Sequence, residues 1–142
     1  MKNKLYANYE KLYSYFGPQH WWPAKTAFEV IVGAILTQNT NWSNVEKAIN
    51  NLKKHNLLKS EKLHKLPQKK LASLIKSSGY YNIKAKRLKE FISFLFKNYQ
   101  GDLRRMSLAG ASYLRKDLLS VKGIGPETAD SILLYAFNKP VF

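Results

Sequence analysis

Apolar residues recur along this chain with a period near 3.6, and no stretch alternates with a period of two, so the pattern predicts an all-α fold. Tyr6, Tyr9, Leu12, Tyr13 and Phe16 mark a first helix that Gly17-Pro18 closes. Pro23 stands at a helix-start position, and Phe28, Ile31, Val32 and Ile35 form a wide stripe on a second helix over Ala24 to Leu36. The residues Thr37 to Asn41, TQNTN, compete with helical hydrogen bonding and predict a tight polar turn before a third helix that carries Val45, Ala48, Ile49 and Leu52. Short helices follow at Glu61 to Lys65 and at Gln68 to Lys76. After a break at Gly79, NIKAKRLKEFISFLFKNY reads as a long amphipathic helix with Leu88, Phe91, Ile92 and Leu95 inward. Its cations at 84, 86, 87 and 89 read as a solvated face, with a nucleic-acid-facing one as the alternative. A further helix over Ala111 to Leu119 leads into the last element. There is no internal repeat, low-complexity tract or linker, so 1–142 reads as a single all-α region.

The last element is LLSVKGIGPETADSILLYA, residues 118–136, in which two apolar helical runs flank Gly123-Ile124-Gly125-Pro126. Gly123 and Gly125 open backbone angles closed to other residues, and their N–H groups lie near the positive N-terminal end of the helix that starts around Glu127. Such a turn suits a phosphate, and with Lys122 beside it the turn would hold a nucleic-acid backbone without reading bases. The plainer reading is a glycine turn in a helical bundle. Against it, Val121 and Ile124 bracket the turn, and Ala129, Ile132, Leu133 and Ala136 follow on one face, in the pattern that packs two helices together.

Charge and composition narrow the partners. Across 142 residues, 24 Lys and Arg stand against 9 Asp and Glu, giving a net charge of +15. That favours a polyanion such as nucleic acid or an anionic membrane surface, although Lys-rich and Asn-rich usage also follows from genome base composition. A membrane-surface protein would use the charge and leave the glycine turn unexplained. The longest apolar window, TAFEVIVGAIL, carries Glu29 and is far short of a membrane span, so a soluble, cytoplasmic, nucleoid-associated protein without membrane partners is expected. There is no cysteine, which removes disulfides, thiolate nucleophiles and cysteine-ligated zinc or iron–sulfur clusters from this chain; no cofactor is expected in it.

The segment LLSVKGIGPETADSILLYA resembles the helix-hairpin-helix motif, at about 112–136, of the HhH-GPD superfamily of base-excision DNA glycosylases. Upstream, HWWPAKTAFEVIVGAILTQNTNWSNVEKAI resembles the segment of endonuclease III relatives in which a helix ends in a polar loop, and SSGYYNIKAKRL resembles a third stretch of that family. His20-Trp21-Trp22-Pro23, the LTQNT loop and Trp42 are similar to the bacterial 3-methyladenine DNA glycosylases of the endonuclease III type. The resemblance implies an N-terminal segment plus a six-helix-type domain ending just after the hairpin, and a monomer that binds double-stranded DNA bearing a damaged base or an abasic site.

The resemblance also implies site residues. Trp21 and Trp42 would stack on an extruded base, with Trp22 and Pro23 as pocket wall and Glu127 beside them. An alkylated purine is cationic, so an electron-rich indole face attracts it with about 0.5 to 2 kcal/mol. The core role usual for tryptophan is the competing reading. Gln38 or Asn39 would fill the gap left in the duplex, with helix capping the equally weighted alternative for either amide. Lys122, Gly123, Ile124, Gly125 and Thr128 would hold the DNA backbone, and the backbone carbonyls of Leu119, Val121 and Ile124 a monovalent cation.

In lyase-competent members of the family a hairpin-helix lysine attacks the sugar, and Glu127 occupies that position here. Glutamate forms no Schiff base, so the implied activity is that of a monofunctional N-glycosylase without lyase chemistry; an acid in the first turn of a helix is the bland account of the same residue. Cleavage passes through oxocarbenium-like charge that needs a carboxylate, which the resemblance places on an aspartate about eighteen residues after Glu127 and beyond Phe142. On that expectation the chain is truncated and inactive alone, and Asp130 pairs locally rather than replacing the missing carboxylate. The competing readings are an oxidised-pyrimidine or mismatched-adenine glycosylase of the endonuclease III type and a noncatalytic DNA-binding module.

Overall fold

The computed structural model describes residues 2–141 as nine α-helices and one 3₁₀ turn, with no strand among the described residues. In chain order the helices are α1 Lys2–Phe16, α2 Ala27–Leu36, α3 Trp42–Lys54, α4 Ser60–Lys65, α5 Gln68–Leu74, α6 Tyr81–Tyr99, α7 Leu103–Ser107, α8 Ala111–Ser120 and α9 Pro126–Phe137. The 3₁₀ turn, Lys76–Ser78, lies between α5 and α6. The all-α expectation holds, and no described helix is long and apolar enough to cross a membrane.

Helix α2 runs through the centre, with every residue from Phe28 to Leu36 buried. A helix apolar on all sides needs neighbours on all sides, and α3, α6 and α9 supply them. The inward stripes foreseen for α3 and α6 are buried: Val45, Ala48, Ile49 and Leu52 on one, Leu88, Phe91, Ile92 and Leu95 on the other. Helix α2 begins three residues later than its proline suggests. Thr26 is extended and its side-chain oxygen accepts from the Glu29 N–H at 3.1 Å, so a hydroxyl cap, rather than Pro23, sets the start. Helix α7 is the element that the apolar pattern missed, because only Met106 of its five residues is buried.

Helix α1 forms where its tyrosines predict it, yet its stripe is not a core stripe. Tyr6 is 65% exposed, Leu12 59% and Phe16 61%, and the aromatic side chains instead pack along the helix itself, with Tyr9 and Tyr13 stacked at 5.7 Å.

The cations of α6 depart furthest from expectation. Lys84 is buried and its Nζ donates to the Ser78 carbonyl at 2.5 Å. Nζ of Lys89 donates to the carbonyls of Leu63, His64 and Leu66 at 2.7 to 2.9 Å, closing the C-terminal end of α4. Both ammonium groups are therefore held by neutral carbonyls, and burial lowers both pKa values; at Lys84 the Arg87 charge adds to the effect. Of the four cations only Lys86 lies on the exposed face.

Candidate nucleic-acid interface

Helices α8 and α9 meet at residues 121–125. Val121 and Ile124 are buried, and the Ile124 N–H donates to the Val121 carbonyl at 3.1 Å, which anchors the turn from below. Gly123 has φ +94°, where an L side chain is strained. A Cβ placed there would also lie 2.5 Å from Cγ and 2.9 Å from Cδ of Arg87, so the stem of Arg87 occupies the space a side chain would need. Gly125 is extended at φ −91° and directly precedes α9, with Pro126 in the helix's first turn.

The hairpin turn at Gly123 and Gly125 borders an open cleft of about 760 Å³, which is lined also by Trp21, Trp22, Gln38, Asn39 and Arg87 and, from α9, by Glu127, Thr128 and Tyr135. Lys122 and Gly125 are exposed at the turn, as a backbone grip requires. Thr128 departs from that role: it is buried, and its hydroxyl accepts from Nε2 of Gln38 at 3.1 Å. Ile124 also faces the core, so only its backbone remains for a ligand. Among the carbonyls expected to hold a cation, that of Val121 is already an acceptor, Leu119 lies in the last turn of α8, and Ile124 stands at the far side of the turn.

The polar loop is bound down. Thr37 donates to the Gly33 carbonyl at 2.6 Å, and Asn41 caps α3 by accepting the Asn44 N–H at 3.1 Å. Capping therefore falls to Asn41 and to neither Gln38 nor Asn39. Nε2 of Gln38 donates both to the Gly123 carbonyl, at 3.1 Å, and to Thr128, while its Oε1 accepts from the Arg87 guanidinium. A gap-filling role for Gln38 is thus not free of cost, because the amide already spans loop, α6 and hairpin. Asn39 is exposed, in a left-handed conformation at φ 55° that Asn tolerates better than most residues.

The three tryptophans divide differently from the expectation. Trp21 is 75% exposed and lines the cleft. Trp22 lines it too, lying edge-on to Trp42 at 5.5 Å and tilted against Tyr135 at 5.3 Å. Trp42 sits behind Trp22, outside the cleft lining, and packs on the core. Gly33 of α2 makes this possible: a Cβ there would stand 3.3 Å from Trp42 and 3.4 Å from Trp22. Pro23 lines a neighbouring hollow of about 680 Å³ with His20, Glu29 and Lys53. At its floor Glu29 is buried and paired with Lys53 at 2.5 Å. Tyr135 went unnoticed in the sequence although it lies on the hairpin's second helix, because an aromatic there reads as core. The indole N–H of Trp22 is buried with no acceptor among the described residues.

Charge in the cleft is uneven. Among the described residues the ion pairs are Glu29–Lys53, Asp102–Arg105 and Asp130–Arg115, so Arg87 has no carboxylate partner. Asp130 makes a two-point contact with Arg115 at 2.7 and 3.2 Å, and this guanidinium holds its carboxyl below the usual carboxylate range. It is engaged away from the cleft, between α8 and α9. A separate basic hollow of about 700 Å³, lined by Lys47, Lys53, Lys54 and Lys76, lies between α3 and α5.

The chain is similar in sequence and fold to known proteins. The family described as HhH-GPD superfamily base excision DNA repair protein matches residues 32–128. A protein of Methanocaldococcus jannaschii that bears the name of a DNA repair glycosylase is 51% identical over 140 residues, which cover 97% of this chain and 63% of that protein. Endonuclease III of Thermotoga maritima is 34% identical over 113 residues, 80% of this chain and 49% of its own length. The crystal structure of Helicobacter pylori 3-methyladenine DNA glycosylase bound to 1,N6-ethenoadenine superposes with a TM-score of 0.79 at 35% identity, covering 96% of this chain and 63% of that one. The chain therefore spans less than two thirds of the length of these relatives.

Proposed function

The chain belongs to the HhH-GPD superfamily of base excision DNA repair proteins, and from that premise we propose that it builds the damaged-base cleft of a DNA N-glycosylase for alkylated purines such as 3-methyladenine, without lyase chemistry. The observation that carries this reading is the cleft itself, in which Trp21, Trp22, Tyr135 and Glu127 line one open space together with Gly123 and Gly125 of the hairpin turn. Exposed Lys122 and the N–H groups at Gly123 and Gly125 would take a phosphate without reading sequence. An extruded base would then lie against Trp21 and Trp22. A cationic alkylpurine gains there what a neutral purine does not, about 0.5 to 2 kcal/mol of cation–π attraction. Trp42, placed behind Trp22, would fix the angle of that ring rather than stack on the base.

Glu127 lies in the first turn of α9 and lines the cleft, so its carboxylate adds a negative charge that favours a cationic ligand. It cannot form an imine with the sugar. In this reading the residues of the cleft bind, unstack and orient the base, and the oxocarbenium-like sugar formed on cleavage needs a carboxylate to stabilise it. The experiment is single-turnover base release from duplexes carrying 3-methyladenine, an oxidised pyrimidine or a mismatched adenine, with borohydride trapping of any imine. Release of the alkylpurine without trapping supports the proposal. Trapping, or a preference for the pyrimidine lesion, supports the second reading, which the likeness to Thermotoga maritima endonuclease III favours.

A further inference from the structure

We propose that Arg87 is a positioning residue of this cleft, acting through Gln38 to make the polar loop and the hairpin a single body that discriminates a duplex with a vacant position from an intact one. The inference rests on the reading that a base leaves the duplex here.

A primary amide has two N–H donors and one carbonyl oxygen, and Gln38 uses all of them in one orientation. Both N–H groups meet acceptors on the hairpin, the Gly123 carbonyl and the Thr128 hydroxyl, each at 3.1 Å. The oxygen meets the Arg87 guanidinium. Rotating the amide by half a turn would set N–H against guanidinium and oxygen against the Gly123 carbonyl, two repulsions in place of two attractions. Arg87 therefore selects which way Gln38 points.

The same side chain touches the hairpin directly, since its Cγ and Cδ fill the space above Gly123. It thus contacts both bodies that it joins, and it reaches them from α6, a third and independent element. Because its acceptor is a neutral carbonyl and it has no carboxylate partner, its charge stays in the cleft. Of the loop's other polar side chains, Thr37 is spent on Gly33, Thr40 on Asn44 and Asn41 on the start of α3, while Asn39 is exposed. Gln38 is the loop's side-chain link to the hairpin, and Arg87 holds it.

The test compares binding of a duplex bearing a stable abasic-site analogue with binding of the same duplex intact, for wild type, Arg87→Gln, Arg87→Lys, Gln38→Ala and the Arg87→Gln/Gln38→Ala double variant. Arg87→Gln is expected to lower the preference for the abasic duplex about tenfold, with a much smaller change for the intact duplex; the double variant should lose no more than either single one. Arg87→Lys, which keeps the charge but lacks the planar fork, should recover little. The charge control Lys54→Gln/Lys76→Gln, in the hollow between α3 and α5, should weaken both duplexes equally. Equal losses for Arg87→Gln on the two duplexes, additive losses in the double variant, or full rescue by Lys would overturn the proposal and leave Arg87 a simple phosphate contact. A wild-type chain with no preference would overturn the functional reading instead. The clamp is then judged by a double-mutant cycle of Arg87 and Gln38 in DNA-free melting, where the absence of coupling would refute it.

Discussion

The two walls of the cleft are built on different physics. The wall made of the polar loop, Arg87 and the hairpin is cross-braced by directional bonds between three elements that are distant in sequence. In the wall made of Trp21, Trp22 and Tyr135, Trp22 is held by ring contacts, to Tyr135 at 5.3 Å and to Trp42 behind it at 5.5 Å, and its indole N–H lacks a partner among the described residues. Directional bonds fix orientation and tolerate little displacement, whereas ring contacts fix area and tolerate sliding. Under the proposed function, the braced wall would grip a uniform backbone and the aromatic wall would accept a variable base.

Each wall contains one glycine against which a side chain rests, and the same substitution separates them. Gly123→Ala combines a left-handed backbone with a Cβ 2.5 Å from the Arg87 stem. It is expected to lower stability by about 2 to 4 kcal/mol in a denaturant melt, the sum of strain and overpacking. Next in size is Thr128→Val, which keeps the shape but leaves one Gln38 N–H without its acceptor. The expected loss is about 1 to 2 kcal/mol, read in the same melt. Gly33→Ala brings a Cβ to 3.3 Å from Trp42 and 3.4 Å from Trp22, and Trp22 is free to slide toward the open cleft. There the alanine's helix preference offsets the crowding, so stability should move by less than about 1 kcal/mol while tryptophan fluorescence changes. If Gly33→Ala costs as much as Gly123→Ala, the aromatic wall is as rigid as the braced one and the contrast falls.

The sequence made the helices legible because burial imposes a period, and α2, α3 and α6 bury what their periods predict. The hairpin was legible for a different reason: two glycines and a proline between apolar runs leave few conformations. What periodicity does not reveal is the partner of a polar side chain. Arg87 and Lys89 look like a solvated face because a helix wheel cannot show that Gln38 waits for one and the end of α4 for the other. The tryptophans were visible as a cluster, but their order, with Trp42 behind Trp22, depends on where Gly33 falls on α2. Helix α1 illustrates the converse limit, since its stripe of tyrosines predicts a helix and says nothing of what covers it.

The smallest expected effect probes the electrostatics of the braced wall. Burial lowers the pKa of Lys84 and the Arg87 charge lowers it further, so the folded value lies below the ordinary lysine value of about 10.4. Between those two values the unfolded chain binds more protons than the folded one, and stability therefore rises with pH across that window. Arg87→Gln removes the second cause and leaves the first, so the window narrows and the rise shrinks without vanishing. Lys89, lowered by its own burial, adds a rise of the same sign, and Tyr99, raised by burial and by its hydrogen bond to Asp117, adds a fall at higher pH; both are common to the two proteins and cancel in their difference. Across melts at a series of alkaline pH values, the stability of wild type should rise with pH by more than that of Arg87→Gln. Parallel curves would mean that the Arg87 charge is not felt at Lys84, and that the braced wall is held by geometry alone.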